Sequence, residues 1–139
     1  MLGEQIGEEK GKVTGQRVLT ITDEDGTPKI ETTFSSNAKF KGIDTVNTVT
    51  YWTVPRPGGM LYGEAKGVVM SKDVSGEVVT FTGYAVGRFT SLGRARFHGS
   101  VYYRTRSTGK LAFLNNLVGL FEHDSDEQGN ASSKIWEWK

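Results

Sequence analysis

The chain contains no cysteine, which excludes a disulfide framework, Cys-ligated zinc and thiol catalysis. No apolar stretch approaches the length needed to span a membrane. Met1 to Lys12 is polar and acidic without an apolar core, so no secretory signal is visible, and a cytoplasmic location is expected. Acidic residues are missing between Glu77 and Glu122, where Arg88, Arg94, Arg96, Arg104, Arg106 and Lys110 all fall. Carboxylates gather towards the two ends instead, within a formal net charge of only +1. Such asymmetry marks either an anion-facing surface or two complementary faces of one fold. Linkers, low-complexity tracts and solenoid repeats are absent too. The 139 residues therefore read as one domain over 1–139, long enough to bury a core without staples.

What is present is a succession of turn signals. They are Asp25-Gly26, Arg56-Pro57-Gly58-Gly59, Ser75-Gly76, Ser91-Leu92-Gly93, Ser107-Thr108-Gly109 and Gln128-Gly129-Asn130. Between them run alternating stretches rich in Val, Thr, Tyr and Phe, the pattern of hairpin-linked strands. About eight strands are expected, at roughly 12–22, 29–40, 45–54, 60–71, 77–90, 94–106, 117–125 and 131–138. Leu111 to Asn115 reads as a short helical turn before the seventh.

Turn lengths set register, and a correct register must place like faces together. A two-residue turn at Asp25-Gly26 sets Ile21 opposite Ile30. A four-residue loop over Arg56–Gly59 sets Trp52 opposite Gly63, and a three-residue loop over Ser91–Gly93 sets Phe97 opposite Gly87 and Phe81 opposite Tyr103. Pairing Val69 with Val79 lays Phe81 over Gly67, and a ring over a facing glycine is a known device for fixing register. The inner face so defined is apolar, small and glycine-rich, and includes Arg17, Phe34, Trp52, Phe81, Phe97 and Tyr103. Glycines at strand centres permit the coiling that closure needs, and closure removes exposed edges. The expected fold is all-β: a closed antiparallel up-and-down β-barrel of about eight strands.

The run from Gly63 to Phe121 carries a resemblance. Glycine-punctuated strands (Gly63-Glu64-Ala65-Lys66-Gly67 and Gly83-Tyr84-Ala85-Val86-Gly87-Arg88) lead into Ser107-Thr108-Gly109-Lys110-Leu111, an Asn-containing turn and Gly119-Leu120-Phe121-Glu122. This order resembles the allene oxide cyclase-like barrel group, particularly its bacterial members of unknown function. The resemblance implies an eight-stranded barrel, often oligomeric, whose lumen can hold an apolar small molecule. The plant cyclase's pocket residues find no one-to-one match here, so its chemistry is not implied.

Among chemical candidates Arg17 is the only charge expected inside. An interior guanidinium needs a partner. That partner would be an anionic headgroup, or Glu122 or Glu137 of a closing strand, unless Arg17 sits in solvent at the barrel mouth. Pockets of this kind join apolar walls to a few placed polar groups, and the proposed lining is Arg17, Phe34, Trp52, Phe81, Phe97 and Tyr103. The same cavity could host an isomerase or cyclase. The outer row Arg94, Arg96, His98, Tyr102, Arg104 and Arg106 suits nucleic-acid or anion binding, but a solvated or paired face is the plainer reading. Register also sets Arg88 opposite Arg96, unfavourable unless an anion or carboxylate intervenes.

An outer face carrying Val49, Tyr51, Tyr62, Val68, Met70, Val78, Tyr84 and Val86 points to a homo-oligomer. His98 and His123 lack a third ligand at recognisable spacing, so no metal is expected, and no cofactor either. Asp124, Asp126, Gln128 and Gly129 imitate a calcium loop, but Ile135 stands where a bidentate Glu is needed. Thr108-Gly109-Lys110 lacks the upstream glycine of a phosphate-binding loop. No Ser/His/Asp set can be assembled from spacing.

Overall fold

Alternating strands joined by glycine turns carry the chain once around a cylinder. A computed structural model describes all residues, Met1–Lys139. Its strands are β1 (Leu2–Ile21), β2 (Pro28–Phe40), β3 (Ile43–Arg56), β4 (Met60–Ser71), β5 (Val78–Ser91), β6 (Arg94–Thr105), β7 (Val118–Ser125) and β8 (Asn130–Trp138). A short 3-10 turn over Ala112–Leu114 lies between β6 and β7, within the stretch expected to be helical. Each strand pairs antiparallel with its sequence neighbour, and β8 returns to β1, closing the barrel. Followed rung by rung, a row that leaves β3 at Asp44 comes back to it at Val54, so the strands are strongly staggered and tilted.

Several expected pairings hold. Val69 faces Val79, Gly67 faces Phe81, Phe81 faces Tyr103 and Gly87 faces Phe97. A Cβ on Gly67 would lie 2.5 Å from the Phe81 ring, and one on Gly87 2.5 Å from Phe97. The rings fill space that only glycine leaves.

Two registers differ from expectation, each for a local reason. At the β3–β4 turn Gly58 and Gly59 both adopt positive φ (82° and 73°), which shortens the loop by one residue and pairs Arg56 with Met60. A one-residue slip turns every side chain to the other face. Asn47, Val49 and Tyr51 therefore point inward, while Trp52 lies outside against the Tyr62 ring, with the Lys29 ammonium 4.0 Å from its centroid. A two-residue turn at Lys41-Gly42, both at positive φ, enforces the same phase from the β2 side.

At the β1–β2 turn Asp25 keeps a negative φ, and its carboxylate accepts hydrogen bonds from Thr22 and Thr27. The loop widens, Ile21 pairs with Pro28, and bulges after Val13 and Val18 reverse the phase of the strand. Arg17 is thereby turned out of the barrel. Its partner is neither Glu122 nor Glu137 but Glu31 on β2, at 2.9 Å, with the Arg17 side chain 71% exposed.

The barrel has a closed end and a turn end. Leu111, Leu114 and Leu117 enter one end and pack with Ile6, Phe40, Val69 and Val79. Towards the other end Leu61, Ala95 and Phe97 form a smaller cluster.

Candidate functional site

The lumen holds a cavity of about 70 Å³ between these two clusters, walled largely by Phe34, Val49, Tyr51, Phe81, Phe97 and Tyr103. That is room for roughly five non-hydrogen atoms, since one water needs about 10–15 Å³ by this measure. Of the residues expected to line a pocket, Phe34, Phe81, Phe97 and Tyr103 are brought together here. Arg17 and Trp52 are not, for the reasons of bulge and turn just given.

The polar floor is made of residues that sequence reasoning did not place. Closure sets Glu9 of β1 beside Ser133 of β8, and Ser133 beside His123 of β7, on successive rungs of one inward row. Glu9 Oε2 accepts hydrogen bonds from Ser36 Oγ and from Asn47 Nδ2, both at 2.7 Å. Thr45 Oγ1 holds Asn47 by donating to its Oδ1 at 2.9 Å. Charge-assisted bonds of this length are the strong kind, and they are what makes an interior carboxylate tolerable. Glu9 Oε1 has no partner in the protein, and Glu9 joins no ion pair.

His123 stands across from this cluster, stacked on Phe34 with centroids 5.1 Å apart and met edge-on by Tyr51 at 5.9 Å. Its Nδ1 lies 2.7 Å from Ser133 Oγ, whereas its buried Nε2 has no hydrogen-bond partner. Burial pushes the imidazole pKa down, against smaller opposing pulls from Glu9 and Asp124, so the ring is neutral at neutral pH. Burial also raises Tyr103, with Glu9 adding to the effect, and it stays a phenol. No lysine or arginine lines the cavity. The floor thus joins a carboxylate, a neutral imidazole with one free nitrogen, and aromatic walls.

The arginine row lies on the outer face, where β7 and the β7–β8 turn meet it with acid. Arg96 donates to Asp124 at 2.8 Å, Arg94 pairs with Glu127 at 3.2 Å, and His98 stands 3.9 Å from Glu122. The like-charge pair of Arg88 with Arg96 is relieved by the Asp124 carboxylate. No group of side chains forms a metal-binding set.

No family model and no curated protein matches the chain. Solved structures do. A protein of unknown function from Clostridium acetobutylicum superposes with a TM-score of 0.78 at 12% identity, over 98% of each chain. A conserved protein of unknown function from Rhodopseudomonas palustris gives 0.76 at 11% identity, over 99% of this chain and 97% of its own. A beta-barrel like protein from Acinetobacter baumannii gives 0.78 at 10% identity, over 100% of this chain and 96% of its own. At these identities the likeness is one of fold. None of the three is described as an allene oxide cyclase.

Proposed function

We propose that the protein binds a small, largely apolar molecule in the barrel lumen, at the floor formed by Glu9 and His123. The observation that carries this reading is the buried, unpartnered Nε2 of His123, a residue of the cavity wall. A buried polar atom without a partner costs about 1–3 kcal/mol, and a ligand group that pairs with it recovers that cost. The aromatic walls supply apolar contact, and the few polar groups would orient the guest. The glycine-punctuated order from Gly63 to Phe121 supports placing the chain near the allene oxide cyclase-like barrels, whose lumina take apolar guests.

An anionic headgroup fits poorly, because it would meet the Glu9 carboxylate and no cation. The outer arginines favour a nucleic-acid role less, since Arg94 and Arg96 already hold carboxylates of the same chain. The test is a ligand-observed NMR screen of compounds with up to roughly six non-hydrogen atoms. Hits are expected to compete with one another and to vanish in Ala65→Leu, which fills the lumen from β4 without touching Glu9 or His123. Binding that survives Ala65→Leu places the guest elsewhere and overturns the reading.

A further inference from the structure

We propose that the lumen selects a small protonated amine, an alkylammonium whose N–H groups reach Glu9 and His123 while its alkyl part lies on the aromatic wall. This rests on the lumen being a binding site and names the class of its ligand. Three independent observations converge on it. Glu9 is only 8% exposed, yet it has no counter-charge, and both of its hydrogen bonds fall on Oε2. Ser36 and Asn47 are neutral donors; they hold the carboxylate in place without cancelling its charge. Oε1 is left as an acceptor without a donor.

The second observation is His123. Its neutral ring cannot serve as the missing cation, because burial disfavours the imidazolium. When Nδ1–H donates to Ser133 Oγ, Nε2 becomes a second acceptor without a donor. In that tautomer Glu9 Oε1 and His123 Nε2 are both acceptors without a donor, and a ligand group that only donates, an ammonium, is the one that satisfies both.

The third is the wall. Phe34, Tyr51, Phe81 and Phe97 present aromatic groups to the same cavity, and ring faces attract cations most strongly where water is excluded. An alcohol of the same shape would offer one donor and no charge. A carboxylate would be repelled. The size of the cavity, about 70 Å³, suits a branched amine of about five non-hydrogen atoms.

Isobutylammonium, isobutanol and isobutyrate share one outline and differ in charge, so they separate the cases. Each is titrated at neutral pH into the 15N-labelled protein, with the amide shifts of Glu9 and His123 followed by NMR. Isobutylammonium is expected to bind at least about tenfold tighter than isobutanol, and isobutyrate not at all. In Glu9→Gln the amine should fall to within about twofold of the alcohol. The comparison on the unaltered protein decides the matter even if that variant does not fold. Isobutanol binding as tightly as the amine would overturn the amine selection while leaving the lumen a binding site. No shift from any of the three at up to about 20 mM would overturn both.

Discussion

His123 pairs one satisfied nitrogen with one orphan, and its environment has a consequence for stability. Burial lowers its pKa in the folded protein, so the unfolded chain takes up the proton first as pH falls. Stability linked to this group is therefore fully present above the unfolded value of about 6.5 and drains away as pH drops below it. Between about pH 6.5 and 5 the unfolding free energy should fall by up to about 1.4 kcal/mol per pH unit, read from urea midpoints. His123→Gln should flatten that slope; an equal slope in both proteins would mean that another group titrates there. Glu9 and His123 were hidden in the sequence for different reasons. His123 is visible in the sequence only as a histidine without a third metal ligand, since its partners lie on β1, β2, β3 and β8. Glu9 lies ahead of the first strand expected at 12–22, in a polar stretch whose neighbours Glu8 and Lys10 face solvent. The readable signal was Gly7, Glu9, Gly11 and Val13 at every second position, the same small-residue alternation that marks β4 to β6. Gly11 is required there: a Cβ would lie 2.0 Å from the Ser35 carbonyl oxygen.

Element by element, what could be read depended on turn chemistry. Registers around β5 were legible because Gly67 and Gly87 each demand a facing ring. The β3 face was not, because Lys41-Gly42 and Pro57-Gly58-Gly59 set its phase by positive φ at more positions than a residue list reveals. Bulges in β1 are still less visible, since nothing in Val13 to Thr20 announces an extra residue. The β6–β7 connection shows how a loop becomes part of a core. Glu77 accepts hydrogen bonds from the backbone N–H groups of Lys110 (3.2 Å) and Leu111 (3.1 Å), and from the Ser107 hydroxyl. These bonds pin the entrance of the 3-10 turn and send Leu111, Leu114 and Leu117 into the end of the barrel. Their removal from water makes the turn a stopper. Leu114 is wholly buried, so Leu114→Ala should cost about 2–5 kcal/mol in urea unfolding, the range for an unrelaxed core cavity. A loss below about 1 kcal/mol would mean that the stopper packs loosely or that the turn moves in to fill the space.

At the scale of the whole molecule the outer surface divides in two. One rung crosses six strands as Asp44, Lys39, Glu8, Lys134, Glu122 and His98, alternating in charge at nearly every step. Continued onto β5 and β4, the same rung becomes Val86 and Tyr62, flanked on that face by Tyr84 and Met60 as well as by Arg88 and Glu64. Val68, Met70, Val78, Tyr84, Val86 and Tyr102 are each between 39% and 47% exposed, though a solitary barrel has no reason to present them to water. Val49 and Tyr51, expected in this face, point into the lumen, so the face is smaller than expected, and Glu64, Lys66, Thr80 and Thr82 divide it into one group around Val68, Met70 and Val78 and another around Tyr62, Tyr84 and Val86. A second copy of the chain is the occupant expected for this face. A two-fold contact running β4 antiparallel to its copy about Ala65 would set Glu64 of one copy towards Lys66 of the other. Burial at about 25 cal/mol per Å² of apolar surface would offset the cost of association. Light scattering at micromolar concentration is expected to return a multiple of the 15.3 kDa chain mass. Tyr84→Glu combined with Val68→Glu should reduce it to the single-chain value by burying unpaired charge at the contact, without disturbing the lumen on the opposite side of the sheet. A monomer mass for the unaltered protein would leave this face to solvent, and an oligomer that survives both substitutions would put the contact on the charged half of the barrel instead.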